Sequence, residues 1–202
     1  MTSPSDAPVR ATGTRTRSGN AMLRTRAAIL DGAERCIERD GVRRTTMSDV
    51  SGEAKVAKAT LYNHFRTKDD VMSALVLARI AALTAECCEL AVAGVAPALE
   101  HAGRSLGAAG SLRRMSAHEP AIAAALATPG AGRLWDAARG GIETVLREAG
   151  APTDAAAVHL VLRWLCGHVL WAATEDELAL GAHVLSAGLG RAPEAVPLGW
   201  PT

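Results

Sequence analysis

Residues 45–70 read TTMSDVSGEAKVAKATLYNHFRTKDD, and this stretch decides the fold. Thr46 is followed three residues later by Asp49, an N-cap with a returning carboxylate, which predicts a short helix to about Ala54. A second short helix fits Lys58 to Phe65. Thr67 with Asp70 repeats the capping signal and opens a long helix through Val71, Leu75, Ala78 and Ala82. Two short helices joined by a tight turn read as a helix-turn-helix, whose second helix can enter a major groove about 12 Å wide while the first braces it. Met47, Val50, Ala54, Val56, Leu61 and Phe65 take the buried positions, with Val56 locking the turn. Ser48, Lys58, Thr60, Asn63 and His64 take the polar ones, and Tyr62 can aim its hydroxyl at a phosphate.

Outward from this stretch the chain is helical in both directions. A first helix fits Leu23 to Asp40, with Ile29, Ala33, Cys36 and Ile37 on one face and Gly41 just past its end. Before it, residues 1–20 are rich in small and polar residues and carry Arg10, Arg15 and Arg17, which predicts a flexible basic arm. After the fourth helix, further helices fit Pro97–Ser116, Glu119–Ala127, Gly132–Ala149, Asp154–Ala173 and Glu175–Leu189. Thr174 to Glu177 again reads as a cap, and a Pro-containing tail begins at Arg191. The expectation is an all-α chain of about nine helices, with an N-terminal DNA-binding unit over residues 21–80 and a helical bundle over 81–202. A long fourth helix joins the two.

Composition agrees with a folded, water-soluble chain. Of 202 residues, 49% are hydrophobic and 21% charged, enough apolar matter to bury a core. The longest stretches free of Asp, Glu, Lys and Arg fall short of the roughly 18–20 residues of a spanning helix. No apolar leader follows the first residues, so a cytoplasmic location is expected. The overall charge of +1 conceals an asymmetry. Residues 1–70 carry an excess of positive charge, including all three lysines (Lys55, Lys58 and Lys68), and the remainder is net negative. A compact basic cluster interleaved with Tyr62 and Phe65 suits a phosphate backbone. Cys36, Cys87, Cys88 and Cys166 form no C-x-x-C pair and read as reduced thiols packed as small hydrophobes.

The segment TTMSDVSGEAKVAKATLYNHFRTKDD resembles the N-terminal domain of the tetracycline-repressor (TetR) family of bacterial transcription regulators. The preceding AAILDGAERCIERDG is similar to that family's first helix. Tyr62-x-His64-Phe65, followed by Lys68 and two acids, is the most specific part of the likeness, which covers about residues 23–80. The resemblance implies a homodimeric repressor that binds a palindromic double-stranded DNA operator and releases it on binding a small-molecule effector. Carried over by position, Thr46 and Ser48 would approach DNA from the second helix. Lys58, Ala59 and Thr60 would face base edges, with Asn63 on the same surface. Tyr62 and His64 would grip phosphates, and Lys68 would add a backbone contact. Two departures stand out: Lys55 replaces the usual turn glycine, and Ala57 replaces the usual Ser or Thr cap. Ala59, at the usual small residue after Lys58, could touch a thymine methyl.

The C-terminal half carries no nucleophile elbow, zinc-protease motif, P-loop or dinucleotide fingerprint, so a non-enzymatic protein without cofactor or metal is expected. Cys166-Gly-His168 places its side chains on different helix faces. Gly103, Gly107 and Gly110 lie along one face of one predicted helix, which implies close helix contact, room for a ligand, or a break near Gly107. The few large side chains suggest a pocket of Met115, His118, Trp135, Trp164 and Trp171. The last two helices, with residues such as Val161, Leu162, Leu180 and Val184, are apolar enough to need a partner, and in the family such helices pair across a twofold axis. A competing reading is a helical small-molecule-binding or interaction protein with a vestigial helix-turn-helix, favoured by Lys55 and Ala57.

Overall fold

A computed structural model describes residues 13–190, with side chains from Gly19 onward. Residues 1–12, with Arg10, and the tail from Arg191, with Trp200, lie outside the described residues. Among the described residues the chain forms ten helices and no strand. They are α1 (Gly13–Asp40), α2 (Met47–Glu53), α3 (Lys58–His64), α4 (Lys68–Ala91), α5 (Val95–Ala108), α6 (Gly110–His118), α7 (Pro120–Ala127), α8 (Arg133–Glu148), α9 (Ala155–Leu170) and α10 (Glu175–Leu189).

The helix starts follow the capping chemistry. Thr46 accepts from the Asp49 N–H while Asp49 Oδ2 accepts from the Thr46 N–H at 2.9 Å. Thr67 with Asp70 and Thr174 with Glu177 close the same reciprocal box. The Thr46 hydroxyl and backbone N–H together hold the Asp49 carboxyl below its ordinary range. Helices α1 to α4 enclose one core of Ile29, Ala33, Cys36, Val50, Leu61 and Val71, all fully buried. Gly32 permits the tight approach of α1 to α2, because a Cβ there would stand 2.9 Å from the Ala54 amide nitrogen. Arg35 and Arg39 of α1 then brace α2 by ion pairs to Glu53 at 2.8 and 3.1 Å. The C-terminal bundle buries a second core between α5, α8, α9 and α10, with Leu99, Leu146, Val161 and Ala182 near its centre.

Two expectations about helix limits change. The first helix begins at Gly13, not Leu23, so residues 13–20 of the expected arm are helical. The helix expected over Pro97–Ser116 is two helices, separated at Ala109 (φ −61°, ψ 114°). Packing causes the break. On α5, a Cβ at Gly103 would stand 2.5 Å from Leu178 Cδ2 of α10, so that helix runs along the bundle. Gly110 opens α6 directly against the Glu38 carboxylate of α1. Gly103 and Gly110 therefore serve close approach on two helices that point to different partners, while a Cβ at Gly107 would meet Ala172 at an ordinary 3.5 Å.

Candidate DNA-binding surface and effector cavity

The helix-turn-helix presents the polar residues expected of it. Thr46, Ser48, Lys58, Ala59, Tyr62 and Asn63 are exposed, and Thr60, His64 and Lys68 are partly so. Tyr62 is 51% exposed, which separates it from Phe65, buried in the core at 4%. The Arg26 guanidinium of α1 lies 4.3 Å over the Phe65 ring and ties the first helix to the end of α3. This is a contact the sequence reading missed, although an arginine one turn before Ile29 was its visible trace.

The turn carries strain where it was expected. Lys55 has φ +56°, the one non-glycine residue with positive φ among the described residues. Its N–H donates to Gly52 O at 3.1 Å, and the Val56 N–H donates to Ser51 O at 3.0 Å. Those two bonds are the pattern of a Schellman ending, whose left-handed position glycine fills most easily. Ala57 opens α3 with no side-chain hydrogen bond.

Lys68 sits at the start of α4, and its Nζ donates to the Val42 carbonyl at 3.1 Å. The ammonium therefore holds the α1–α2 loop. From the opposite side, Glu119, between α6 and α7, accepts from the Val42 N–H at 2.6 Å and the Arg43 N–H at 2.8 Å. Desolvation pushes the Glu119 carboxyl up, but those two donors and the nearby Arg43 and Arg114 outweigh it and hold it below its ordinary value. Gly41, with φ +87°, leaves room for it: a Cβ there would stand 2.8 Å from a Glu119 carboxylate oxygen. Carboxylate and ammonium thus grip one peptide segment from the two halves of the molecule.

Behind this junction lies a cavity of about 610 Å³. Its walls include Ile37 of α1, Leu83 of α4, Leu106 of α5, Met115 of α6, Trp135 of α8 and Leu165 of α9. Helix α4 crosses it for much of its length. By length and composition alone this helix could cross a membrane. Here its apolar side chains line the cavity and the adjoining cores.

With this geometry in place, residues 29–75 match bacterial regulatory proteins, tetR family. The N-terminal domain is a TetR-family helix-turn-helix domain. Over 59 residues it is 40% identical to the HTH-type transcriptional regulator TtgR of Pseudomonas putida, covering 29% of this chain and 28% of that protein. The probable regulator ArpR, also of Pseudomonas putida, matches over the same extent. The matched part is thus little more than a quarter of these curated relatives' length. The bundle joined to the TetR domain finds its likeness in solved structures. The TetR family repressor AlkX from Dietzia sp. superposes with a TM-score of 0.63 at 22% identity, covering 81% of this chain and 94% of that one. The fatty acid degradation regulator FadR from Bacillus halodurans gives 0.60 at 16% identity, covering 83% and 97%. FadR from Bacillus subtilis, solved in complex with stearoyl-CoA, gives 0.52 at 14% identity, covering 80% and 98%. At these identities the likeness is one of fold.

Of the five residues expected to form a pocket beside the TetR domain, Met115 and Trp135 line the cavity. The other three lie elsewhere. Trp164 turns toward α10, where a Cβ at Gly181 would stand 2.8 Å from its Nε1, and it meets His168 edge-on at 4.4 Å. Trp171 ends α9 and is 81% exposed. His118 ends α6 on the surface. Cys166 lines the cavity while His168 packs on Trp164, so the two diverge as their spacing requires.

Proposed function

We propose that the chain is a ligand-responsive transcriptional regulator, acting in the cytoplasm as a repressor. A C2 homodimer would place two recognition helices in successive major grooves of an inverted-repeat operator, about 34–36 Å apart or somewhat more. One observation carries this reading: a single cavity is walled at once by α1 of the TetR domain, by α4 and by the bundle. A molecule occupying it would touch both halves. Binding that favours an arrangement with the recognition helices out of register would then empty the operator by population shift. The Glu119 grip on Val42 and Arg43 supplies a direct connection from the α6–α7 corner to the loop preceding α2. FadR of Bacillus subtilis, of similar fold, was solved in complex with stearoyl-CoA, and this supports a small-molecule effector for the present chain.

The dimer would use α9 and α10. Leu160 and Leu170 of the first and Leu180 and Val184 of the second stand exposed, a patch that a twofold mate would cover. DNA contacts are assigned to Thr46, Ser48, Lys58, Ala59, Thr60, Tyr62, Asn63, His64 and Lys68, with base reading by the start of α3 and phosphate contact by Tyr62, His64 and Lys68. The second reading, a small-molecule-binding protein with a vestigial helix-turn-helix, draws on the strained Lys55 and uncapped Ala57. Selection of bound sequences from a random duplex pool at physiological salt separates the two. An inverted repeat is the expected product. Binding only in the nonspecific range of about 10⁻⁴–10⁻⁶ M, with no enriched motif from a folded dimer, would refute the regulator reading.

A further inference from the structure

The cavity's charges restrict what can enter it. Its lining includes three charged side chains among the described residues: Glu34, Arg79 and Glu86. Each already has a partner. Arg79 of α4 pairs with Glu34, and its Nη2 reaches Asp31 Oδ1 at 3.3 Å, both acids belonging to α1. Glu86 holds His101 Nε2 at 2.8 Å, and the Ser105 hydroxyl lies 3.4 Å from the same nitrogen. Arg79 and Glu86 sit at the rim, each keeping half or more of its side chain in solvent, with exposed Asp31 beside them, whereas Glu34 is 21% exposed and carries the Arg79 pair inward. The rest of the lining is aliphatic and aromatic, with the Ser73, Thr84, Ser105 and Ser111 hydroxyls as its sparse polar groups.

The cysteines do not alter this balance. Burial pushes the Cys87 thiol up to about 11 and raises Cys166 as well, so neither contributes a thiolate at neutral pH. An anion entering the cavity would lose its hydration and find Arg79 already neutralised by two carboxylates. A cation would meet three carboxylates, Asp31, Glu34 and Glu86, against one guanidinium, so the rim does not repel it. A lipophilic ligand without negative charge does not meet the anion's obstacle, and a volume of about 610 Å³ falls within the roughly 300–1,000 Å³ of small-molecule pockets.

Resting on the effector reading given above, we propose that this cavity takes lipophilic small molecules without negative charge, and that the Asp31–Glu34–Arg79 cluster at its edge is the specificity determinant that turns anions away. Arg79 is the only charged side chain of α4 between Asp70 and Glu86. The two acids facing it cancel the one cation that could otherwise receive a carboxylate or sulfonate.

A matched pair of fluorescent probes tests this on the full-length protein. N-phenyl-1-naphthylamine is uncharged, and 8-anilinonaphthalene-1-sulfonate has the same ring system with an added sulfonate. The neutral probe is expected to bind with one saturable site and the sulfonate at least about tenfold more weakly. Ala138→Trp, which fills the cavity wall, should abolish neutral-probe binding. Ala138→Leu, a milder filling, should weaken it and serves if the tryptophan variant fails to fold. In D31N/E34Q, Arg79 is released, and the gap between the two probes should close by about tenfold through tighter sulfonate binding. Equal affinity of both probes for the parent protein, or an unchanged ratio in D31N/E34Q, would overturn the charge-selection proposal while leaving a ligand cavity in place. Failure of both probes to bind, or binding indifferent to both Ala138 substitutions, would overturn the cavity as an effector site as well.

Discussion

Replacing Glu119 with alanine should loosen the joint between the bundle and the DNA-binding domain. The carboxylate accepts two backbone N–H groups, from Val42 at 2.6 Å and Arg43 at 2.8 Å. A hydrogen bond to a charged group contributes about 1.5–3 kcal/mol when water cannot substitute. Arg43 is exposed, so water takes over that donor at little cost. Val42 is partly buried, and its orphaned N–H carries most of the loss. The net expectation is about 2 kcal/mol, which for a domain of this size lowers Tm by roughly 4–8 °C if unfolding stays two-state. The folded-state pKa of Glu119 lies below its unfolded value. Its contribution is therefore present above the usual glutamate range and is lost as pH falls through the depressed folded value. Calorimetry at neutral pH and at pH values below about 4 should show the difference between parent and variant shrinking in acid. Hydrogen exchange at the Val42 and Arg43 amides should accelerate in the variant at neutral pH. A variant with parental Tm and unchanged exchange at these two amides would refute the argument that this carboxylate holds the domains together.

Other outcomes follow from the recognition unit. Ala57→Ser supplies the missing cap of α3 and should raise stability by about 1 kcal/mol, read as an increase in the midpoint of urea unfolding. Lys68→Ala should weaken binding to all duplexes alike and flatten the salt dependence by about one unit, whereas Lys58→Ala should relax preference among sequences. Titrations at several salt concentrations measure both, and intact DNA binding in the two variants would refute the site assignment.

The recognition unit was legible in the sequence because its determinants are local. Thr46 with Asp49 and Thr67 with Asp70 bond within four residues, and the burial of Val50, Leu61 and Phe65 follows helical spacing. Lys55 could be marked as strained before its φ of +56° was seen, since the turn demands a left-handed residue whatever the side chain. The bundle was less legible. Ala109 is a strong helix former, and it interrupts a helix because α5 and α6 are drawn to α10 and α1 respectively. The tryptophans announced bulk without direction: Trp135 faces the cavity, while Trp164 faces Gly181 of the neighbouring helix. Glu119 was overlooked beside His118, because its partners are main-chain atoms 76 and 77 residues away and leave no side-chain signature. The lone Arg79 within an apolar helix, with Asp31 and Glu34 three apart on α1, was the available clue to the cavity rim.

Val42 offers the Glu119 carboxylate its amide and the Lys68 ammonium its carbonyl, so the loop enters this joint through main-chain atoms. These two bonds ask of position 42 only an N–H, which excludes proline, and a carbonyl, although the Val42 side chain also packs on the core, and they are exacting about chain length. Exposed Arg43 could change with little consequence for these bonds, while gaining or losing a single residue between Gly41 and Thr46 would displace both handles together. Inheritance of this connection would therefore be written in spacing, where residue-by-residue comparison has least to see.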